Sequence, residues 1–110
     1  MDLSTRYLGL ELKHPIVASA SPLTRDIDGI RKLLDAEAAA IIMASVFEED
    51  VSANRAVLDE RLGTLRLASK QSDVPIIASL NGASPGGWVD FATRLQDAGA
   101  SAIELDLYRV

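Results

Sequence analysis

The side chains with chemical capacity in this chain are mainly hydroxyls, amides and carboxylates, and they recur two residues apart. Ser19 and Ser21 form one such pair, Ser79 and Asn81 a second, Glu104 and Asp106 a third. Residues two apart in a strand share a face, and each pair closes an apolar run. Together they would line one end of a sheet with hydrogen-bonding groups, which suits the capture of a polar small molecule. A plainer reading stands beside it: Ser and Asn close strands before turns, and charges on a last strand discourage edge-to-edge pairing.

Other chemistry is thin. The chain has no Cys, so disulfides, thiolate metal sites and cysteine nucleophiles are excluded together, and any redox step must come from a cofactor. His14, the one histidine, precedes Pro15 and is read as structural at a strand entrance. The serines lack a patterned base, so a hydrolase triad is not expected. The glycine-rich stretch from Asn81 to Gly87 has neither nucleotide-loop spacing and reads as turn chemistry. Glu48, Glu49 and Asp50 read as a solvated cluster near a helix start, without further metal ligands close in sequence.

An internal echo indicates what positions these groups. Pro15-Ile16-Val17-Ala18-Ser19 returns as Pro75-Ile76-Ile77-Ala78-Ser79, and the stretch around Asp35-Ala36-Glu37-Ala38 returns around Asp97-Ala98-Gly99-Ala100. Two pieces recurring in the same order at nearly the same offset mark a repeated unit. Each copy starts with a β-branched run, Ile16 to Ala20 or Ile76 to Leu80, and continues into an amphipathic helix. Thr24 is the expected cap of the first helix, whose stripe is Ile27, Ile30, Leu33 and Leu34. Ser84 and Pro85 are expected to open the second, with Trp88, Phe91, Ala92 and Leu95 on its apolar face.

Gly99 is placed to end the second helix in the left-handed conformation. Glu37 holds the equivalent place in the first copy, where a Cβ costs about 1 kcal/mol, so a weaker turn is expected there. A further helix is expected around Leu58, Leu62, Leu65 and Ala68, weakened by Gly63, and a hairpin over residues 5–13 leads in. Ala100 to Leu107 reads as the last strand, and carrying the second echo back places Ile42 and Ala44 of the second strand on the polar side.

Strand, helix and strand, twice over, implies parallel pairing with right-handed crossovers. Four parallel strands in 110 residues match the roughly 30 residues per unit of a (β/α)8 barrel, in which strand ends and loops converge on a C-terminal mouth. The expected fold class is therefore α/β: a partial (β/α)8 TIM barrel of about four parallel βα units. Residues 1–14 form the lead-in and 15–110 the units. A doubly wound, flavodoxin-like binding module and a self-assembling structural half-barrel are the alternatives.

Composition narrows the partners. A length of 110 residues, 48% of them hydrophobic, describes one globular unit or a piece of one, and the net charge of −5 disfavours nucleic acid and anionic membranes. No apolar run approaches the ~20 residues of a membrane span, and no secretory signal is visible, so a cytoplasmic location is expected. Open edges at the first and fourth strands make a homo-oligomer the expected assembly.

The opening Leu8-Gly9-Leu10-Glu11-Leu12-Lys13-His14-Pro15, the Ser19-Ala20-Ser21-Pro22-Leu23 strand exit, Phe47-Glu48-Glu49, and Ser79-Leu80-Asn81-Gly82 through Ser84-Pro85-Gly86-Gly87-Trp88 together resemble the N-terminal part of dihydroorotate dehydrogenase-like FMN proteins. The resemblance implies a barrel with FMN across its mouth and hydride transfer from dihydroorotate to the flavin. It assigns Ser19, Ala20, Ser21, Ser45, Asn81 and Asp106 to the cofactor. It also exposes departures: Ala44 stands where the dehydrogenases have a flavin-contacting Lys, Asp106 where they have Asn, and Arg109 at the place of the catalytic Cys. Arginine is permanently protonated and cannot act as a base, so little or no turnover is expected of the chain alone.

Overall fold

A computed structural model describes residues 3–82 and 87–107. The chain opens with a hairpin of β1 (Thr5–Tyr7) and β2 (Leu10–Leu12), in which Thr5 faces Leu12 and Tyr7 faces Leu10. Leu8 and Gly9 both have positive φ, 53° and 75°, the pattern of a type I′ turn whose twist matches that of the strands it joins. The remaining strands are β3 (Val17–Ala18), β4 (Ala40–Ile42), β5 (Val46–Phe47), β6 (Ile76–Gly82) and β7 (Ala102–Leu107). The helices are α1 (Ile27–Asp35), α2 (Glu48–Ala53), α3 (Arg55–Gln71) and α4 (Gly87–Asp97).

All strands after the hairpin pair in parallel. β4 and β5 lie along the same side of β6, at its start and its end, so they are two halves of one stave; β7 pairs with β6 as well. The order in space is then β3, β4 with β5, β6, β7, which is the order in the chain. A doubly wound sheet needs a reversal of strand order, and there is none. Ile30 of α1, Leu58, Leu62, Leu65 and Ala68 of α3, and Leu95 of α4 pack in one cluster with Ile41, Ile76, Ala78 and Leu80 on a single face of the sheet. The flavodoxin-like alternative, which requires helices on both faces, is therefore set aside.

The opposite face is closed at its lower end by the hairpin. Leu12 is buried, with Leu10 beside it, against Val17, Ala40, Ile42, Ile77 and Ala102. The result is a mixed α/β fold with a mostly parallel sheet, helices outside and a hairpin beneath the other face. Among the described residues no helix is long and apolar enough to cross a membrane.

Local details correct several expectations. Thr24 does not cap α1: it is buried in a 3₁₀ turn, Pro22–Thr24, in a reciprocal capping box with Ser21. Asp26 caps the helix by accepting from the Gly29 N–H at 2.9 Å. The carboxylate wins because the 3₁₀ turn moves the helix start two residues downstream. Ser84 and Pro85 lie outside the described residues, as does the side chain of Trp88, while Phe91, Ala92 and Leu95 face the core as expected.

The turn at Glu37 keeps the same backbone bond as its echo despite the Cβ. Glu37 holds φ +65°, and Ala38 N–H donates to the Leu33 carbonyl at 3.2 Å, just as Ala100 N–H donates to Leu95 at 3.2 Å around Gly99. His14 helps hold it. Its Nδ1 accepts from Ile16 N–H at 3.1 Å, and its Nε2 lies 2.8 Å from the Glu37 carbonyl oxygen, which it reaches as a donor. The ring thus ties the entrance of β3 to the end of α1, far from the polar lip, in keeping with a structural role.

Candidate functional site

The inner face of the sheet, opposite the helices, changes character along the strands. Val17, Ala40, Ile42, Ile77 and Ala102 pack at its lower end, and Ser79, Asn81 and Glu104 follow them toward the C-terminal ends. Alternation alone would bring Ala44 of the second stave beside Ser79. Instead, three residues separate Ile42 from Val46 where only two separate their partners Ile77 and Leu80, so one extra residue is inserted. That residue is Ala44, whose N–H leaves the ladder and donates to the Thr24 carbonyl at 3.3 Å. A bulge of this kind re-aims the side chain that follows it.

Ser45 is consequently brought to the inner face. Its Oγ lies 2.8 Å from Ser79 Oγ, and Ser79 in turn donates to Glu104 Oε1 at 3.4 Å. The proton order follows: Ser79 spends its proton on the carboxylate, so Ser45 donates to Ser79. Three neighbouring staves are linked in this way through Ser79, which is only 1% exposed. Two residues farther along the same face, Asn81 holds its Oδ1 buried with no hydrogen-bond partner. A buried acceptor left unmatched costs about 1–3 kcal/mol, which a donor from a ligand would recover. Glu48 reaches over the strand end, because a Cβ added at Gly82 would lie 2.8 Å from its Oε2.

A cavity of about 260 Å³ opens beside this network, between the turn after β3 and the bulge. Ala20, Ser21, Ala44 and Ser45 line it, together with Arg25 and Arg61. Ser19 lines a different hollow of about 360 Å³, shared with Tyr7, Leu12, Val17 and Ile42 under the hairpin. Of the six expected residues, Ala20, Ser21 and Ser45 thus share one cavity. Asn81 stands on the same inner face as Ser79, and Ser19 opens to the neighbouring hollow. Asp106 sits opposite Asn81 in the β6–β7 register, and its side chain lies outside the described residues, as does Arg109.

Arg61 was not among the expected residues. It is buried at 8% exposure on α3, and its Nη1 has no hydrogen-bond partner. Burial pushes its pKa below the ordinary arginine value and the nearby Arg25 charge adds to that, while Glu60 and Asp50 act in the other direction. The guanidinium nonetheless stays charged, as arginine does in proteins. A signal for it exists in the sequence: Arg61 falls three residues after Leu58 and one before Leu62, a charge set into an apolar stripe. Glu104 was legible as a member of the polar face but not as the partner of Ser79.

A protein of Aeropyrum pernix, provisionally named dihydroorotate dehydrogenase A (fumarate), is 47% identical to this chain over 38 residues. The match takes in 34% of this chain and 12% of that protein. No family model matches. The likeness to a dihydroorotate dehydrogenase is thus local, about a third of the chain, and a small part of the relative.

Proposed function

We propose that this chain forms the first half of a (β/α)8 barrel belonging to an FMN-dependent oxidoreductase of the dihydroorotate dehydrogenase-like kind, with the cofactor seated along the inner lip. The observation that carries the reading is the orphaned Asn81 Oδ1 beside the Ser45–Ser79–Glu104 chain, at the C-terminal ends of parallel strands. The local likeness to the Aeropyrum pernix protein supports it. The residues suit a flavin: the ring's edge carries an N–H that matches the unpaired amide oxygen, and the small Ala20 and Ala44 leave room for a flat group.

Bound FMN would supply hydride acceptance. The chain's own groups would then act as positioners. Asn81 fixes the ring edge, Ser79 is held by Glu104 so that the hydroxyl pair has one proton order, and Ser45 is presented by the bulge. Arg109, at the position where the resemblance would lead one to seek the cysteine, cannot take its place as a base, since arginine does not accept a proton. This chain alone is accordingly expected not to turn over dihydroorotate; its part would be to position the flavin for a reaction with a small molecule.

Flavin fluorescence tests the reading. Titrating FMN with the chain should quench and shift its emission, and Asn81→Ala should weaken that binding by about tenfold, the worth of one buried hydrogen bond of about 1.4 kcal/mol. Unchanged emission at saturating protein, or equal affinity in the Asn81→Ala chain, refutes it.

A further inference from the structure

We infer that Arg61 and Arg25, with the hydroxyl of Ser21, form a subsite for a small oxyanion, the carboxylate or phosphate group of the molecule that the lip receives. Its assignment to a substrate rests on the barrel reading above, whereas anion binding itself does not. The argument starts from an imbalance. The chain carries a net charge of −5, yet two arginines line one cavity of about 260 Å³ and the charge of Arg25 presses on that of Arg61. The ion pairs found among the described residues, Asp28 with Arg31 and Asp90 with Arg94, involve neither of them.

Arg61 is more than nine-tenths buried and has an Nη1 with nothing to donate to. A desolvated cation is tolerated in a protein when an anion or a full set of acceptors meets it. Here, among the described residues, Nη1 has no acceptor, Glu60 and Asp50 act on the guanidinium through their charge without bonding that nitrogen, and the residue lines a cavity. Ser21 adds a donor, since in its capping box the Oγ serves as acceptor, from the Leu23 N–H at 3.2 Å among others, and its own proton can turn toward the cavity it lines. Ser45 contributes wall and not a donor, because its proton goes to Ser79. The planar, forked guanidinium matches a carboxylate or phosphate edge with two parallel bonds, and such charge-assisted bonds are the strong ones.

The cavity also adjoins the bulge, so a ligand anchored there would extend toward Ser79 and Asn81. A group held at one end by charge and at the other by amide and hydroxyl contacts is fixed in orientation, which is what transfer to a neighbouring ring requires.

Thermal unfolding of the chain at constant ionic strength, with acetate or inorganic phosphate replacing chloride, provides the test. One of these anions should raise the midpoint with saturation in the millimolar range. A response to acetate assigns a carboxylate, and a response to phosphate alone assigns a phosphate ester. Arg25→Gln, a change at an exposed position that leaves the core untouched, should weaken the response by about tenfold for one charged contact. Arg61→Lys should weaken it as well, since an ammonium lacks the fork. No shift beyond the chloride control, or a response that survives both substitutions unchanged, overturns the subsite. An anion response in a chain that leaves FMN emission unchanged keeps the subsite and removes the flavin reading; quenching without an anion response does the reverse.

Discussion

Replacing Glu37 with glycine should stabilise the protein, and the size of the gain can be worked from the echo. Glu37 and Gly99 end corresponding helices in the left-handed region, at φ +65° and +117°, with matching backbone bonds behind them. A residue with a Cβ is strained in that region by about 1–2 kcal/mol. Glycine relieves the strain but costs about 0.5–1 kcal/mol through the extra freedom of the unfolded chain. The net is a gain of about 0.5–1 kcal/mol. With about 2.1 cal/mol/K of unfolding entropy per residue, this raises the melting temperature of a chain of 110 residues by about 2–4 °C. Thermal and urea unfolding of Glu37→Gly should agree on the sign, and the bond from His14 survives because it uses the backbone carbonyl. The reciprocal change, Gly99→Ala, should destabilise, since its Cβ would be strained and would also run into the Ser69 side chain. A lower midpoint for Glu37→Gly, or an unchanged one for Gly99→Ala, refutes the reasoning.

Two further outcomes follow from the same structure. Gly63 lies within α3, and a Cβ there meets nothing within 4 Å, so Gly63→Ala should stabilise by about 0.5–1 kcal/mol in urea unfolding; a loss would mean that the helix is interrupted there. We also propose that a second copy covers the open edges of β3 and β7. Sedimentation should then show a dimer or larger species whose share rises with concentration, and a monomer throughout the accessible range would rule that assembly out.

The order of elements was legible because local signals agreed with the global arrangement. Proline-led β-branched runs, two apolar stripes and one glycine stop recur in the same sequence, and each copy folds as a strand followed by an outer helix. What was not legible depended on events between elements. Strict alternation assigned Ala44 to the inner face, and nothing in Met43-Ala44-Ser45 announces that the Ala44 N–H will find the Thr24 carbonyl instead of the ladder. Thr24 and Asp26 are both good caps, and only the 3₁₀ turn decides between them. Arg61 was hidden for another reason: a charge on an apolar stripe normally snorkels to water, and here it is buried beside a cavity assembled from the turn after β3, the bulge and α3. The six residues assigned by resemblance divide for the same cause, since Ser19 and Ser21 share a face by spacing but open into different hollows once the chain turns at Pro22.

The hairpin gives the inner face of the sheet a floor. With Leu10 and Leu12 seated against Val17, Ala40, Ile42 and Ile77, the lower part of that face is greasy at its centre, whereas its brim carries hydroxyl and amide groups beside two arginines. A visitor bearing charge can sink only its uncharged part, because burying an ion among hydrocarbon is far costlier than leaving it at the brim. On the reading proposed above, the medium would orient a ligand before any individual contact forms, with its charged end at the upper side.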